Sequence, residues 1–268
     1  MPLESVPSPS RPSRARAVRA ARPERVADAR RQVFYELVSG GSGLALAVFM
    51  WGHMLLVGSI LTGARGFDWL AGGLEALFIA QPTVVAITAI FVVHAAMASR
   101  KVPARLRERR RMGELARGLR AALPASRGKG GRTAARFQPH LESWLWIWQV
   151  RTGMLVLVLG SFHLGLVALD VFTPLFGERT GIEAVSSTAR VSGGLWPVYA
   201  LLLVCVEFHA GAGLFRLAVK WGVGSRFSRR ALWRAEKFVF VAFLGLGLVT
   251  LAVLADWIAP PLRFLTEN

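Results

Sequence analysis

Four histidines, His53, His94, His163 and His209, fall in four separate apolar runs, one to a run. Two glutamates, Glu75 and Glu207, lie beside or inside the same runs. Imidazole nitrogens bind metals, form hydrogen bonds and pass protons, and carboxyl groups pass protons. Ionisable groups in a bilayer-spanning run are costly, so they are functional candidates by default. For any one histidine, a hydrogen bond to a neighbouring helix is about as good an account as ligation. Four on four different helices are harder to explain that way. The fifth, His140, precedes an aromatic stretch and lies outside these runs.

The runs must be helices that cross a membrane. Of the 268 residues, 53% are hydrophobic, and the mean hydropathy is +0.44. Apolar stretches of about 20 residues read as transmembrane helices. Five occur, at roughly Leu37–Leu61, Leu77–Ala98, Leu145–Leu169, Trp196–Val219 and Phe238–Ile258. They are continuous and not alternating, so the expected fold is an all-α bundle of five transmembrane helices and not a barrel. Helix V carries no histidine and reads as packing.

Charge sets the orientation. The net charge is +17. Eight arginines lie between Arg11 and Arg31, thirteen Lys/Arg between Arg100 and Arg136, and seven between Arg216 and Lys237. The other two connections hold only Arg65, Arg179 and Arg190, mixed with acids. That alternation is the positive-inside pattern. It puts the N-terminus in the cytoplasm and, after five crossings, the C-terminus outside. Nucleic-acid binding would need a basic surface with exposed aromatics, which this pattern does not offer. Cys205, the one cysteine, excludes an intrachain disulfide and reads as a small core residue. No cleavable signal is visible.

Three regions follow from composition. Residues 1–33 form a basic segment, disordered at first and from about Ala17 a helix suited to anionic headgroups. Residues 34–262 form the membrane domain, and residues 263–268 a tail. A basic insertion at about 103–137 interrupts the domain, with a short amphipathic helix over Arg105–Ala122 and a flexible linker at LPASRGKGGR. Pro82 is expected to kink the first turns of helix II. Gly40, Gly41 and Gly43 permit close approach of a helix or a flat cofactor to helix I.

Depth sorts the histidines. Helices I and III run outward, with His53 and His163 past their midpoints. Helices II and IV run inward, with His94 near the inner end and His209 at or just inside the centre. Two pairs result, and each could supply both axial nitrogens of a six-coordinate haem. Two haems at different depths would form an electron path. The rivals are a zinc or copper site, which usually adds ligands at short spacing, and a histidine proton relay. His209, Gly213, Arg216 and Lys220 share a helix face. Arg216 and Lys220 lie about 10 and 16 Å further inward, where they either meet haem propionates or snorkel to the interface. Glu207, two residues from His209, points off that face and is either a proton carrier or a hydrogen-bonded structural acid. Glu75, at the outer start of helix II, is either a proton donor and acceptor for a quinone or a solvated acid favoured by the helix dipole.

These motifs carry a family resemblance. GHM at His53, HAAMASRKVP from His94, WIWQVRTG with GSFHLG at His163, and VEFHAGAGLFRLAVKWG at His209 resemble the dihaem cytochrome b subunit of succinate:quinone oxidoreductases, in particular the five-helix menaquinol:fumarate reductase type. The likeness runs from about Gly43 to Trp221. It implies two haem b groups, with His53 and His163 on the distal iron and His94 and His209 on the proximal one. It also implies menaquinone or another quinone near Glu75, a proton path through Glu207, and Trp146 and Lys220 around haem propionates. Where the family has a Gln-Ser pair this chain has Ser39-Gly40. FAD and iron–sulfur clusters would reside on partner flavoprotein and iron–sulfur subunits at the cytoplasmic face, and the assembly could be a dimer of heterotrimers. Two other expectations compete: a dihaem cytochrome b serving a hydrogenase or formate dehydrogenase, and a proton-coupled transporter without haem.

Overall fold

The computed structural model describes residues 14–100, 102–122, 141–173, 175–176, 182–223 and 228–266, with side chains described from Ala29 onward except at 104, 105, 109, 116, 119–122, 141–143 and 229. The expected disordered start, the LPASRGKGGR linker and His140 lie outside the described residues. Eight helices follow in order: α1 Arg14–Gly58, α2 Ala64–Ala76, α3 Ala80–Ser99, α4 Val102–Ala122, α5 Leu141–Phe172, α6 Ala184–Arg190, α7 Trp196–Lys220 and α8 Arg229–Leu254. Five segments are long and apolar enough to cross a membrane: Ala29–Thr62, Ala80–Ser99, Trp144–Phe172, Ala184–Lys220 and Arg230–Leu254. From Arg14 onward the basic segment runs into the first span as one continuous helix, α1. α4 forms where a short amphipathic helix is expected, three residues earlier.

The connection after α1 differs from the expected loop. It folds as α2, which ends in a left-handed residue, Phe78, at φ 54°. Phe78 N–H donates to the Glu75 carbonyl and Ile79 N–H to the Leu74 carbonyl, the reciprocal pair that closes a helix C-terminus. Helix α3 therefore starts afresh at Ala80, and Pro82 stands in its first turn. A missing N–H costs nothing there, so Pro82 starts the helix and does not kink it. Helix α8 begins nine residues before the expected Phe238, because Ser228 caps it by accepting from Ala231 N–H at 3.1 Å. It ends at Leu254, with Asp256 in the left-handed region at φ 60°. The tail then returns to the end of α1: Leu262 N–H donates to the Leu61 carbonyl, and Thr266 Oγ1 to that of Thr62.

α1 packs chiefly on α3, α5 on α7, and α7 on α8. Apolar cores close the two ends of the bundle. At one end Ile60, Phe67, Ala71, Ala184, Val191 and Val253 meet; at the end bearing Arg216 and Lys220, called the basic end below, Leu145, Ala212 and Phe215 do. The α1–α3 and α5–α7 pairs face each other across the space between.

Candidate functional site

That space is a cavity of about 2980 Å³, roughly three times the upper size of an ordinary small-molecule pocket. All four histidines line it, as do Trp146, Arg216 and Lys220. His53 and His163 stand with ring centroids 6.2 Å apart, and so do His94 and His209. Each pair takes one ring from α1 or α3 and its mate from α5 or α7. A metal about 2.0 Å from each nitrogen, with the ring centre about 1.1 Å behind it, separates two imidazoles by about 6.2 Å. The spacing fits one metal between each pair. Among the described residues no three His, Cys, Asp or Glu side chains gather as a metal cluster.

Hydrogen bonds select which nitrogen faces inward. His209 Nδ1 lies 2.8 Å from the Gln149 carbonyl. A carbonyl only accepts, so Nδ1 carries the proton and Nε2 keeps its lone pair. Ser42 Oγ donates to the Val38 carbonyl at 2.6 Å and so accepts from His94 Nδ1 at 3.1 Å. That outer bond is what a ligating imidazole uses to fix its tautomer and ring. At the other pair the Tyr199 hydroxyl stands 3.3 Å from His163 Nδ1, and Phe49 stacks on His53 at 5.7 Å.

Two glycines hold the rings of the basic-end pair. A Cβ on Gly43 would stand 2.9 Å from His94 Cε1, and one on Gly153 2.6 Å from His209 Cε1. Gly40 meets Leu217 and Trp221 instead, and Gly41 has no neighbour within 4 Å. Room beside Gly213 goes to Gln149, whose Nε2 would lie 2.9 Å from an added Cβ. Gln149 Oε1 in turn accepts from Arg216, and Lys220 pairs with Glu36. These polar groups line the basic end of the cavity.

The far end has a cation that sequence reading missed. Arg190, 5% exposed, lines the cavity and donates to Asp170, itself 0% exposed, at 2.5 Å. Asp170 also accepts from Phe176 N–H at 2.7 Å. Thr250 Oγ1 is buried on the same wall without a partner among the described residues. An acid and a base at the ends of neighbouring apolar runs were the available signal for the ion pair.

Neither glutamate lies in the cavity wall. Glu207, 3% exposed, is on the other side of α7, and its Oε1 has no partner among the described residues. Glu75 is half-buried at the C-terminal end of α2, not at the start of a helix. The helix dipole disfavours an anion there, which removes the dipole account of this residue. Its neighbours Leu77, Phe78 and Ile79 are exposed.

Comparison with known proteins identifies the family. Residues 131–250 match the family model for the succinate dehydrogenase/fumarate reductase transmembrane subunit. The fumarate reductase cytochrome b subunit of Helicobacter pylori is 31% identical over 223 residues, covering 80% of this chain and 77% of the relative. The chain belongs to this family. The Wolinella succinogenes fumarate reductase cytochrome b subunit is 34% identical over 190 residues, 68% of this chain. The matched part spans 64% of that relative, just under two thirds of its length. This family member is a multi-pass protein of the bacterial inner membrane.

Proposed function

We propose that the chain is the membrane anchor and electron-transfer subunit of a succinate:quinone oxidoreductase, with two bis-histidine haems b. The observation that carries the reading is the pair of imidazole couples, each 6.2 Å apart across one cavity. Bound haem iron would supply reversible one-electron chemistry at each couple. His94 and His209 hold the basic-end iron and His53 and His163 the other. Ser42 and the Gln149 carbonyl keep the basic-end imidazoles oriented. Arg216, Lys220 and Trp146 at the basic end and Arg190 at the far end offer donors to propionates.

Flavoprotein and iron–sulfur subunits would dock at the basic, cytoplasmic end. A menaquinone or related quinone would bind beside Glu75, which takes or gives the proton. Glu207, shielded from the cavity by its own helix, would carry protons through the membrane. The relatives' names favour this assembly over a hydrogenase or formate dehydrogenase partner.

The purified complex tests the reading. Two haems b per chain with low-spin bis-histidine spectra are expected. H209A and H94A should each remove the same haem, and H53A and H163A the other. A complex without haem, or four variants that do not sort into these two couples, would refute it. For the carboxylates, E75Q and E207Q should slow quinone-linked turnover while both haems remain; unchanged turnover would refute those two assignments.

A further inference from the structure

Arg151 is an exposed cation inside a membrane-spanning segment. It lies seven residues into the span that begins at Trp144, about 10 Å along the helix axis. It does not line the cavity. Its guanidinium lies over the Trp148 ring, 5.2 Å from the centroid. Among the described residues it has no hydrogen bond or ion pair. A guanidinium this close to the start of the span reaches the headgroup level by extending toward the basic end. Stacking on the Trp148 indole fixes it at that level, where the anions of the headgroups are its available counter-charge.

The surroundings define what can supply one. Trp144, Trp148, Arg151, Leu155, Val158 and Phe162 recur every three or four residues, so they form one stripe along α5. All six are exposed. Trp144 is held from behind by Phe208 of α7, with centroids 6.2 Å apart, and it leans on Trp148 at 6.0 Å. The stripe thus has a fixed aromatic and cationic head at the basic end. Its apolar length from Arg151 to Phe162 is about 16 Å, close to one leaflet of a hydrocarbon core about 30 Å thick.

We propose that this stripe is a binding site for one anionic phospholipid of the basic-end leaflet. Its phosphodiester pairs with Arg151, the two indoles flank the headgroup, and an acyl chain lies along Leu155, Val158 and Phe162. Guanidinium offers paired donors to phosphate oxygens. A lipid with its own headgroup cation would leave Arg151 uncompensated beside a strongly basic chain, so charge selects an anionic headgroup.

The test uses the intact complex in detergent, stripped of lipid and titrated with phosphatidylglycerol or phosphatidylcholine, with bound lipid counted by native mass spectrometry. Wild type should retain one phosphatidylglycerol per chain in preference to phosphatidylcholine. R151Q should weaken that binding about 10-fold or more and erase the preference, with haem absorbance unchanged. R151K should lose less, because the charge stays and the paired donors go. If R151Q does not assemble, W148F carries the test and should weaken retention by several-fold. Lipid retention and preference equal to wild type in R151Q, or in W148F in that case, would overturn the proposal. So would an R151Q complex that sheds its soluble subunits or changes oligomeric state, because the stripe would then be a protein contact.

Discussion

Replacing Gly153 by alanine tests the cavity at its tightest point. The added Cβ would lie 2.6 Å from Cε1 and 2.9 Å from Nδ1 of His209. Carbon atoms rest at about 3.5–4.0 Å, so the ring must withdraw by about 1 Å. It cannot do so freely, since Nδ1 is bound to the Gln149 carbonyl at 2.8 Å on the same helix as Gly153. A 1 Å retreat takes that bond beyond useful hydrogen-bond length. Overpacking of this kind costs about 1–3 kcal/mol, or about 5- to 150-fold in an equilibrium constant. Loss of an outer bond to a ligating histidine costs about 10- to 100-fold in metal affinity. The two figures agree. On the proposed two-haem reading, G153A should therefore yield a complex with close to half the wild-type haem, the deficit confined to the basic-end couple. The measurements are haem per chain by pyridine difference spectroscopy and a redox titration resolving both couples. G43A, with a 2.9 Å approach to His94, should show a smaller loss. G41A, with nothing within 4 Å, should match wild type. A G153A complex with full haem and unchanged potentials would refute the argument.

Other substitutions probe separate parts of the structure. S42A removes the acceptor of His94 Nδ1 and should weaken the basic-end haem about 10-fold, seen as haem loss on dilution. D170A strands the buried Arg190 and should destabilise the far end by about 3–5 kcal/mol, read as a lower unfolding temperature of the complex; D170A/R190M should recover much of it. F78G removes a left-handed phenylalanine and should stabilise the α2–α3 junction by about 1 kcal/mol, measured by thermal unfolding. An unchanged or lower transition would show that Phe78 is not strained.

The elements with one strong physical constraint were legible in the sequence. Long apolar runs can only be helices in lipid, and alternating basic connections fix their alternating directions. With directions known, the 1.5 Å rise converts residue number into depth, and depth brings His53 to His163 and His94 to His209. Details governed by contacts across the bundle were hidden. Nothing local marks Ser42 and Gln149 as partners of His94 and His209, since those bonds join residues 52 and 60 positions apart. Gly43 was visible as a site of close approach, but the neighbour it admits was not. The α2 helix was missed because GFDWLAGGLEA is glycine-rich. It holds because Phe67 and Ala71 reach the far-end core and Asp68 accepts from Ala184 N–H at 2.8 Å.

Each histidine couple draws on both helix pairs, and this bears on how the subunit is assembled. α1 with α3 and α5 with α7 are each antiparallel helix pairs packed more within themselves than on each other. Lipid tails give such pairs little hydrophobic reason to associate, and their histidines face one another across open volume. On the proposed reading, ligation acts as two crosslinks that fasten one pair to the other. Anything that binds the closed bundle and not the separated pairs favours closure by mass action, by about 4 kcal/mol at a thousand times its dissociation constant. The amount of assembled subunit in the membrane would then follow the supply of haem, and a cell short of iron would hold helix pairs awaiting their fasteners.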